Sequence, residues 1–350
     1  MLSYLYNLAT DRYKGKAATL AKFFLYLASF LYGLVARLLI FIYRLRPHRL
    51  NCKVISVGNI TLGGTGKTSL VALIAGYLRQ EGHKVAILSR GYKRRVRSYE
   101  MIGDEPAMLK NSLKDVPVVV DADRIRGAQK AVREHKADTV ILDDGFQQWR
   151  IKKDLEIVTI DANSPFGNRN LLPRGILREP ISSLKRADLL VLTKTDLGPS
   201  INQLKDYLRR VNPSAPIIES IHQPLGFCQL DKPEDLLDIN MLQGKAVTIF
   251  SGIGDPDSFK SLIRNLGIKI DLTFEFPDHY NYTQEDLDKI IKDSKDKNID
   301  TIITTEKDAA RFTGLQMGSD ALKILFLRIK LKVIKNEEEL YNRLLGLYSF

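Results

Sequence analysis

Lys67 and Thr68 close the segment Gly58-Asn-Ile-Thr-Leu-Gly-Gly-Thr-Gly-Lys-Thr68, and that spacing suits the gripping of a polyphosphate. Gly63, Gly64 and Gly66, with Thr65 among them, let successive backbone N–H groups face one anion at the positive end of a helix dipole. Lys67 then reaches the β- and γ-phosphates, the Thr68 hydroxyl holds Mg²⁺, and Ser69 continues into the helix. The apolar run Val54–Val57 precedes the loop and Leu70-Val-Ala-Leu-Ile-Ala follows it, so the order is strand, glycine turn, helix. The strict pattern places glycine where this chain has Thr61. A surface turn rich in glycine is the plainer alternative, but the lysine and threonine at a strand-to-helix junction argue against it. The expected ligand is a nucleoside triphosphate.

Asp143 and Asp144 follow the apolar run Val140-Ile-Leu142. A carboxylate at a strand end beside a phosphate loop holds the metal directly or through water. A turn-forming Asp-Asp-Gly is the competing reading, and the upstream loop decides between them. Ser89-Arg-Gly-Tyr-Lys-Arg-Arg-Val-Arg97 gathers five positive charges that suit phosphate neutralisation, although basic surface loops are common. Asp104, Arg124, Arg178, Glu179 and His279 carry little in isolation. Thr193-Lys-Thr-Asp196 resembles the guanine-reading tetrapeptide of GTPases, with Thr for Asn, and keeps a GTPase switch open as the rival. A partition-type ATPase is weaker, because Leu62 stands where its second lysine belongs.

These side chains need a frame. Six apolar runs alternate with helical stretches: Val54–Val57, Val85–Leu88, Val118–Val120, Thr139–Leu142, Ile157–Ile160 and Leu189–Leu192. That rhythm predicts a doubly wound, mostly parallel α/β sheet with function at the carboxyl ends of its strands. Asn212-Pro-Ser-Ala-Pro216 and Gln223-Pro-Leu-Gly226 break the rhythm. A smaller α/β unit follows, with strands near 246–250, 268–276 and 301–304 and helices near 257–266 and 283–292. A last helix spans about 336–345, with Gly346 as its stop. The expected domains are 1–48, 49–225, 226–334 and a C-terminal helix 335–350 that packs on the nucleotide-binding domain.

The 350 residues carry a formal charge of +12, which favours anionic partners. Cys52 and Cys228 lie far apart without metal-ligand spacing, which excludes a disulfide scaffold or zinc module. Leu20 to Leu45 reads LAKFFLYLASFLYGLVARLLIFIYRL, apolar nearly all round but interrupted by Lys22, Arg37 and Arg44. A buried core helix and a signal peptide are the alternatives. The favoured reading is a helix embedded in or lying on a leaflet, its basic residues meeting anionic lipid.

Taken together, the motifs resemble those of tetraacyldisaccharide 4′-kinases, the lipid A kinases of Gram-negative bacteria. The matching pieces are Ser56-Val-Gly-Asn-Ile with Gly63-Gly-Thr-Gly-Lys-Thr68, Ser89-Arg-Gly-Tyr92, Gly103-Asp-Glu-Pro106, Asp143-Asp-Gly-Phe-Gln147 and Leu171-Leu-Pro173 with Leu177-Arg-Glu-Pro180. Gly252-Ile-Gly254, Phe276-Pro-Asp-His279 and Thr305-Glu-Lys-Asp308 complete the series in the family's order. The resemblance implies a P-loop NTPase-like fold, ATP and Mg²⁺. It also implies transfer of a γ-phosphoryl group to the 4′-hydroxyl of a tetraacylated glucosamine disaccharide 1-phosphate. It makes Asp104 the base, His279 its partner, and Thr68, Asp143 and Asp144 the metal's residues. Tyr92, Arg124, Gln147, Arg178 and Glu179 fall on positions lining the cleft. A monomer at the cytoplasmic face of the inner membrane, with no nucleic-acid partner, belongs to the same picture. Gln148 replaces the family's usual His, and Ser69 and Ile176 stand where proline and a Gly-Pro residue are frequent. None of these removes a charge that the reaction needs.

Overall fold

The computed structural model describes residues 8–349 except 12, 91–93, 97–98, 102–105, 107, 111–112, 114 and 313–321. Asp104 and Tyr92 therefore lie outside the described residues. The chain forms two compact units. The first comprises Met1–Ile102, Leu109–Ile221 and Leu331–Phe350; the second comprises Gly103–Met108 and His222–Lys330.

The first unit opens with a long helix, α1 (Lys16–Leu45). Its sheet is built from β1 (Lys53–Gly58) and β2 (Val85–Ser89), with helix α2 (Lys67–Gln80) between them. Two short strands, β3 (Arg94–Val96) and β4 (Tyr99–Met101), form a separate antiparallel pair within the basic segment. β5 (Val118–Val120), α3 (Arg124–His135), β6 (Thr139–Asp143), β7 (Leu155–Asp161), β8 (Leu189–Thr193), α4 (Ile201–Val211) and β9 (Ile217–Gln229) follow. The strand order in this unit is β9-β8-β7-β1-β6-β2-β5. Neighbours pair in parallel, for example Val57 with Asp143 and Gly58 with Val158. Later strands add first on one side of β1 and then on the other. The turn after β1 thus sits where the winding reverses, the usual ligand crevice of such sheets.

Alternation along β1 explains the layers. Ile55 and Val57 face one side, where Leu70, Val71, Ile74 and Leu78 of α2 meet Leu340 and Leu344 of the C-terminal helix (Glu337–Leu345). Val54 faces the other side, against Ala128 and Ala131 of α3. Each fully buried leucine or isoleucine contributes about 2 kcal/mol of burial. α3 starts cleanly because the Asp123 side chain accepts the N–H groups of Ile125 and Arg126.

Helix α1 behaves differently. Only Ala18, Ser29, Gly33 and Ala36 are buried in it, while Phe23, Phe24, Phe30, Leu31, Leu34 and Phe41 are more than half exposed. The small residues seat it on the loop around Leu171: Ser29 Oγ donates to Leu171 O at 2.8 Å, and a Cβ on Gly33 would come 2.7 Å from Leu171 Cδ1.

The second unit contains β9 from His222 onward, β10 (Ala246–Ser251), α5 (Pro256–Asn265), β11 (Lys269–Glu275), α6 (Gln284–Asp296), β12 (Thr301–Thr305) and β13 (Lys323–Lys335) as far as Lys330. Its strand order is β11-β10-β12-β13-β9. A capping box between Thr283 and Asp286 starts α6.

One sequence expectation fails locally. Gln223-Pro-Leu-Gly226 does not interrupt the chain but lies inside the 13-residue strand β9. The register of β9 against β8 runs from Ile217 to Glu219, so Pro224 lies outside that ladder. Gly346 is the C-cap of the last helix, as expected, although with φ −58° it stops the helix in a right-handed and not a left-handed conformation.

Candidate active site

Gly58 ends β1 so close to the chain after β6 that a Cβ would sit 2.5 Å from Phe146 N. The loop beyond it is braced by polar contacts. Asn59 Nδ2 donates to Thr61 Oγ1, Leu62 N donates to Ile176 O at 2.7 Å, and Thr65 Oγ1 lies 2.7 Å from Thr159 Oγ1. Thr61, the non-glycine position of the motif, is buried; its backbone bridges to Leu177 and its hydroxyl accepts the Asn59 amide. Gly63 and Gly66 hold φ of 106° and 77°, conformations that favour glycine. Among the described residues, and apart from the chain neighbours, no heavy atom lies within 4 Å of a Cβ built on Gly63 or Gly64, which leaves an open cradle. Gly66 is the cap of α2 and brings no side chain to its first-turn N–H groups, which suits them to an anion.

Lys67 opens α2 with its Nζ 3.5 Å from Asp144 Oδ1. Arg178 Nη1 donates to the same carboxylate at 2.8 Å and 3.0 Å. Burial works to raise the Asp144 carboxyl, yet Lys67 and Arg178 hold it below its ordinary value. Asp143, at the end of β6, is buried, and its backbone carbonyl accepts Arg124 Nη2 at 3.0 Å. Burial draws the Arg124 guanidinium down to about 10, against Asp143 and Asp144, so it stays charged at neutral pH. Thr68 is half-buried in the first turn of α2, beside Ser69. The hydroxyl of Thr68 and the carboxylates of Asp143 and Asp144 are all oxygen donors, the set that a hard divalent cation takes.

Gln147 Nε2 donates to Asn59 O at 3.0 Å and to Glu179 Oε1 at 3.1 Å, and its Oε1 accepts Arg178 Nη1 at 3.4 Å. Glu179 was expected to line a cleft. Instead it is fully buried, accepting Trp149 Nε1 at 3.1 Å and pairing with Arg186 at 2.9 Å. Arg124 is only 4% exposed, so it too acts from beneath the surface. Trp149 and Arg186 escaped the sequence reading; the one available signal was the single tryptophan just past the Asp-Asp-Gly-Phe-Gln motif.

The candidate guanine reader has another occupation. Lys194 Nζ pairs with Asp161 Oδ2 at 2.5 Å, both buried, and Thr193 Oγ1 donates to Thr65 O at 3.1 Å. Thr193 thereby braces the phosphate loop. In the second unit His279 takes φ 59°, and its backbone N–H donates to Gly252 O at 3.1 Å.

Comparison with known proteins agrees with this site. A family model described as tetraacyldisaccharide-1-P 4′-kinase matches residues 21–348. The tetraacyldisaccharide 4′-kinase of Elusimicrobium minutum is 38% identical over 341 residues, 91% of this chain and 89% of that protein. That of Halothermothrix orenii is 35% identical over 339 residues, covering 89% of this chain and 88% of its own. A crystal structure of LpxK from Aquifex aeolicus in complex with ATP aligns with a TM-score of 0.68 and 30% identity, covering 92% of this chain and 97% of that one. A phosphate loop, its paired aspartates and a match along nearly the whole length agree, and the chain belongs to the tetraacyldisaccharide 4′-kinase family.

Proposed function

We propose that this protein transfers the γ-phosphoryl group of ATP to the 4′-hydroxyl of a tetraacylated glucosamine disaccharide 1-phosphate, giving lipid IVA in lipid A biosynthesis. One observation supports this reading above the others. Arg178 holds Asp144 with its guanidinium, while its backbone carbonyl accepts the Tyr32 hydroxyl of α1 at 2.8 Å. A single residue thereby ties the phosphate site to the greasy helix, as a kinase for a lipid acceptor requires.

The glycine cradle, Gly63 to Gly66, receives the triphosphate tail. Lys67 offsets charge as the phosphoryl group moves, and Arg178 keeps Asp144 aligned. Thr68, Asp143 and Asp144 would hold Mg²⁺, which when bound would neutralise charge on the phosphate oxygens. Asp104 accepts the proton of the sugar hydroxyl, and His279 orients that carboxylate. The exposed face of α1 lies in the cytoplasmic leaflet of the inner membrane among anionic lipids, and the protein acts as a monomer.

The deciding experiment incubates the protein with γ-labelled ATP and the disaccharide lipid. Label on the 4′-oxygen is expected, with GTP a poor competitor. Efficient GTP use, or label elsewhere, overturns the reading. Asp104→Ala is expected to lower kcat by roughly 10²–10⁴-fold with ATP affinity nearly intact. Equal loss of ATP affinity would move Asp104 to the metal's side of the chemistry.

A further inference from the structure

Three segments that stand out in the sequence, around Gly252, His279 and Asp308, have no part in the phosphate loop, yet they meet in one knot of the second unit. Asp308 has no solvent exposure and gathers donors from four directions. Arg311 Nη1 reaches it at 2.8 Å, the Tyr282 hydroxyl at 3.0 Å, Gly252 N at 3.1 Å and the Thr305 hydroxyl at 2.6 Å. Arg311 Nη1 also donates to Gly252 O at 2.8 Å. Gly252 O receives the His279 N–H as well, so both backbone polar groups of Gly252 are held, the N–H by aspartate and the carbonyl by arginine and the histidine's own backbone. A Cβ at Gly252 would come 2.8 Å from the Tyr282 hydroxyl and 3.2 Å from Pro277 O, which explains a glycine there.

With its Nη1 fixed twice, the buried Arg311 guanidinium has little freedom, and its Nη2 lies 3.4 Å from His279 Nδ1. A guanidinium carries donors only, so Nδ1 must offer its lone pair and the proton of the neutral ring belongs on Nε2. The other edge agrees: Asp278 Oδ2, an acceptor, lies 3.9 Å from Nε2. We propose that Asp308 and Arg311 are positioning residues that fix the tautomer of His279, so that the ring presents Nε2–H as a donor. This deepens the reading of His279 as the partner that orients the Asp104 carboxylate, and it rests on that reading for its functional consequence. A ring free to exchange tautomers would offer a carboxylate a lone pair part of the time, and two acceptors facing each other repel.

The test uses the full chain in detergent micelles with ¹⁵N-labelled histidine, at about pH 8.5, where ordinary imidazoles are neutral. Long-range proton–nitrogen correlations distinguish the tautomers, and the signals absent from His279→Asn assign the ring. The wild type is expected to carry its proton on Nε2. Arg311→Met should mix the tautomers and lower kcat about tenfold, the smaller end of what an orienting partner contributes, with the KM for ATP within about twofold. Arg311→Lys restores a donor and should recover part of both. A wild-type proton on Nδ1, or an unaltered tautomer pattern in Arg311→Met, overturns the proposal. The wild-type spectrum decides even if that variant fails to fold. Full turnover by His279→Asn would instead overturn the role of His279 itself, while the spectrum still judges the clamp.

Discussion

A carboxylate wholly out of water depends on its partners, and Glu179 has two donors, Gln147 and Trp149, and one ion-pair partner, Arg186. Removing it strands a largely buried guanidinium and frees the amide that braces Arg178. Glu179→Ala is therefore expected to cost about 3 kcal/mol, seen as a lower urea midpoint, because breaking one side of a buried ion pair leaves the other uncompensated. An unchanged midpoint would mean that Arg186 is satisfied elsewhere. Turnover should also fall in the fraction that folds, through looser placement of Asp144. The chemistry-bearing side chains were legible in the sequence where they stand on a motif whose geometry is set locally, as Lys67 and Asp143 do. Glu179 and Arg311 were not, because their roles also need partners distant in sequence, Gln147 and Trp149 for one and Gly252 and His279 for the other, that only tertiary packing delivers. Lys194 was misleading for the same reason: its partner Asp161 lies on the neighbouring strand.

At the level of elements, α1 shows how composition and contact divide the labour. Its bulky residues face outward, and its small ones seat it on the Leu171 loop. The apolar run announced the helix, but not which stripe would dock. Gly33→Leu should unseat the helix by collision with Leu171, lowering phosphorylation of the lipid acceptor while ATP binding persists. Equal lipid turnover in the variant would show that docking is dispensable. A polar strap supports the same seat. Asp11 pairs with Arg174 at 2.9 Å and with Lys22 at 2.6 Å. Burial works to raise the Asp11 carboxyl, but hydrogen bonds from Lys22, Asn168 and Arg174 prevail and hold it at about 2, below its ordinary 3.8. A lowered native value means that the stabilisation is complete above pH 3.8 and fades as pH falls toward 2. Hydrogen exchange of the segment 13–22 should rise across that window in the wild type and be fast throughout in Asp11→Asn. The strands were easy to place because a parallel sheet reads as unbroken apolar runs. β9 and β13 were harder. One carries a proline, and the other ends in Lys-Leu-Lys-Val-Ile-Lys, which reads as surface.

For the whole molecule, deletion of residues 1–46 is expected to abolish co-sedimentation with anionic vesicles while nucleotide binding survives. Retained sedimentation would place the membrane contact elsewhere on this basic chain. Arg178 gives that deletion a second meaning. Its main-chain oxygen is fastened to Tyr32, and its side chain steadies the carboxylate beside Lys67. A borrowed anchor grafted onto residue 47 would place the enzyme on a bilayer but would not supply the hydroxyl that fastens Arg178. Recruitment and full speed would then part company, and the native helix would prove to be a component of the catalyst as well as its mooring.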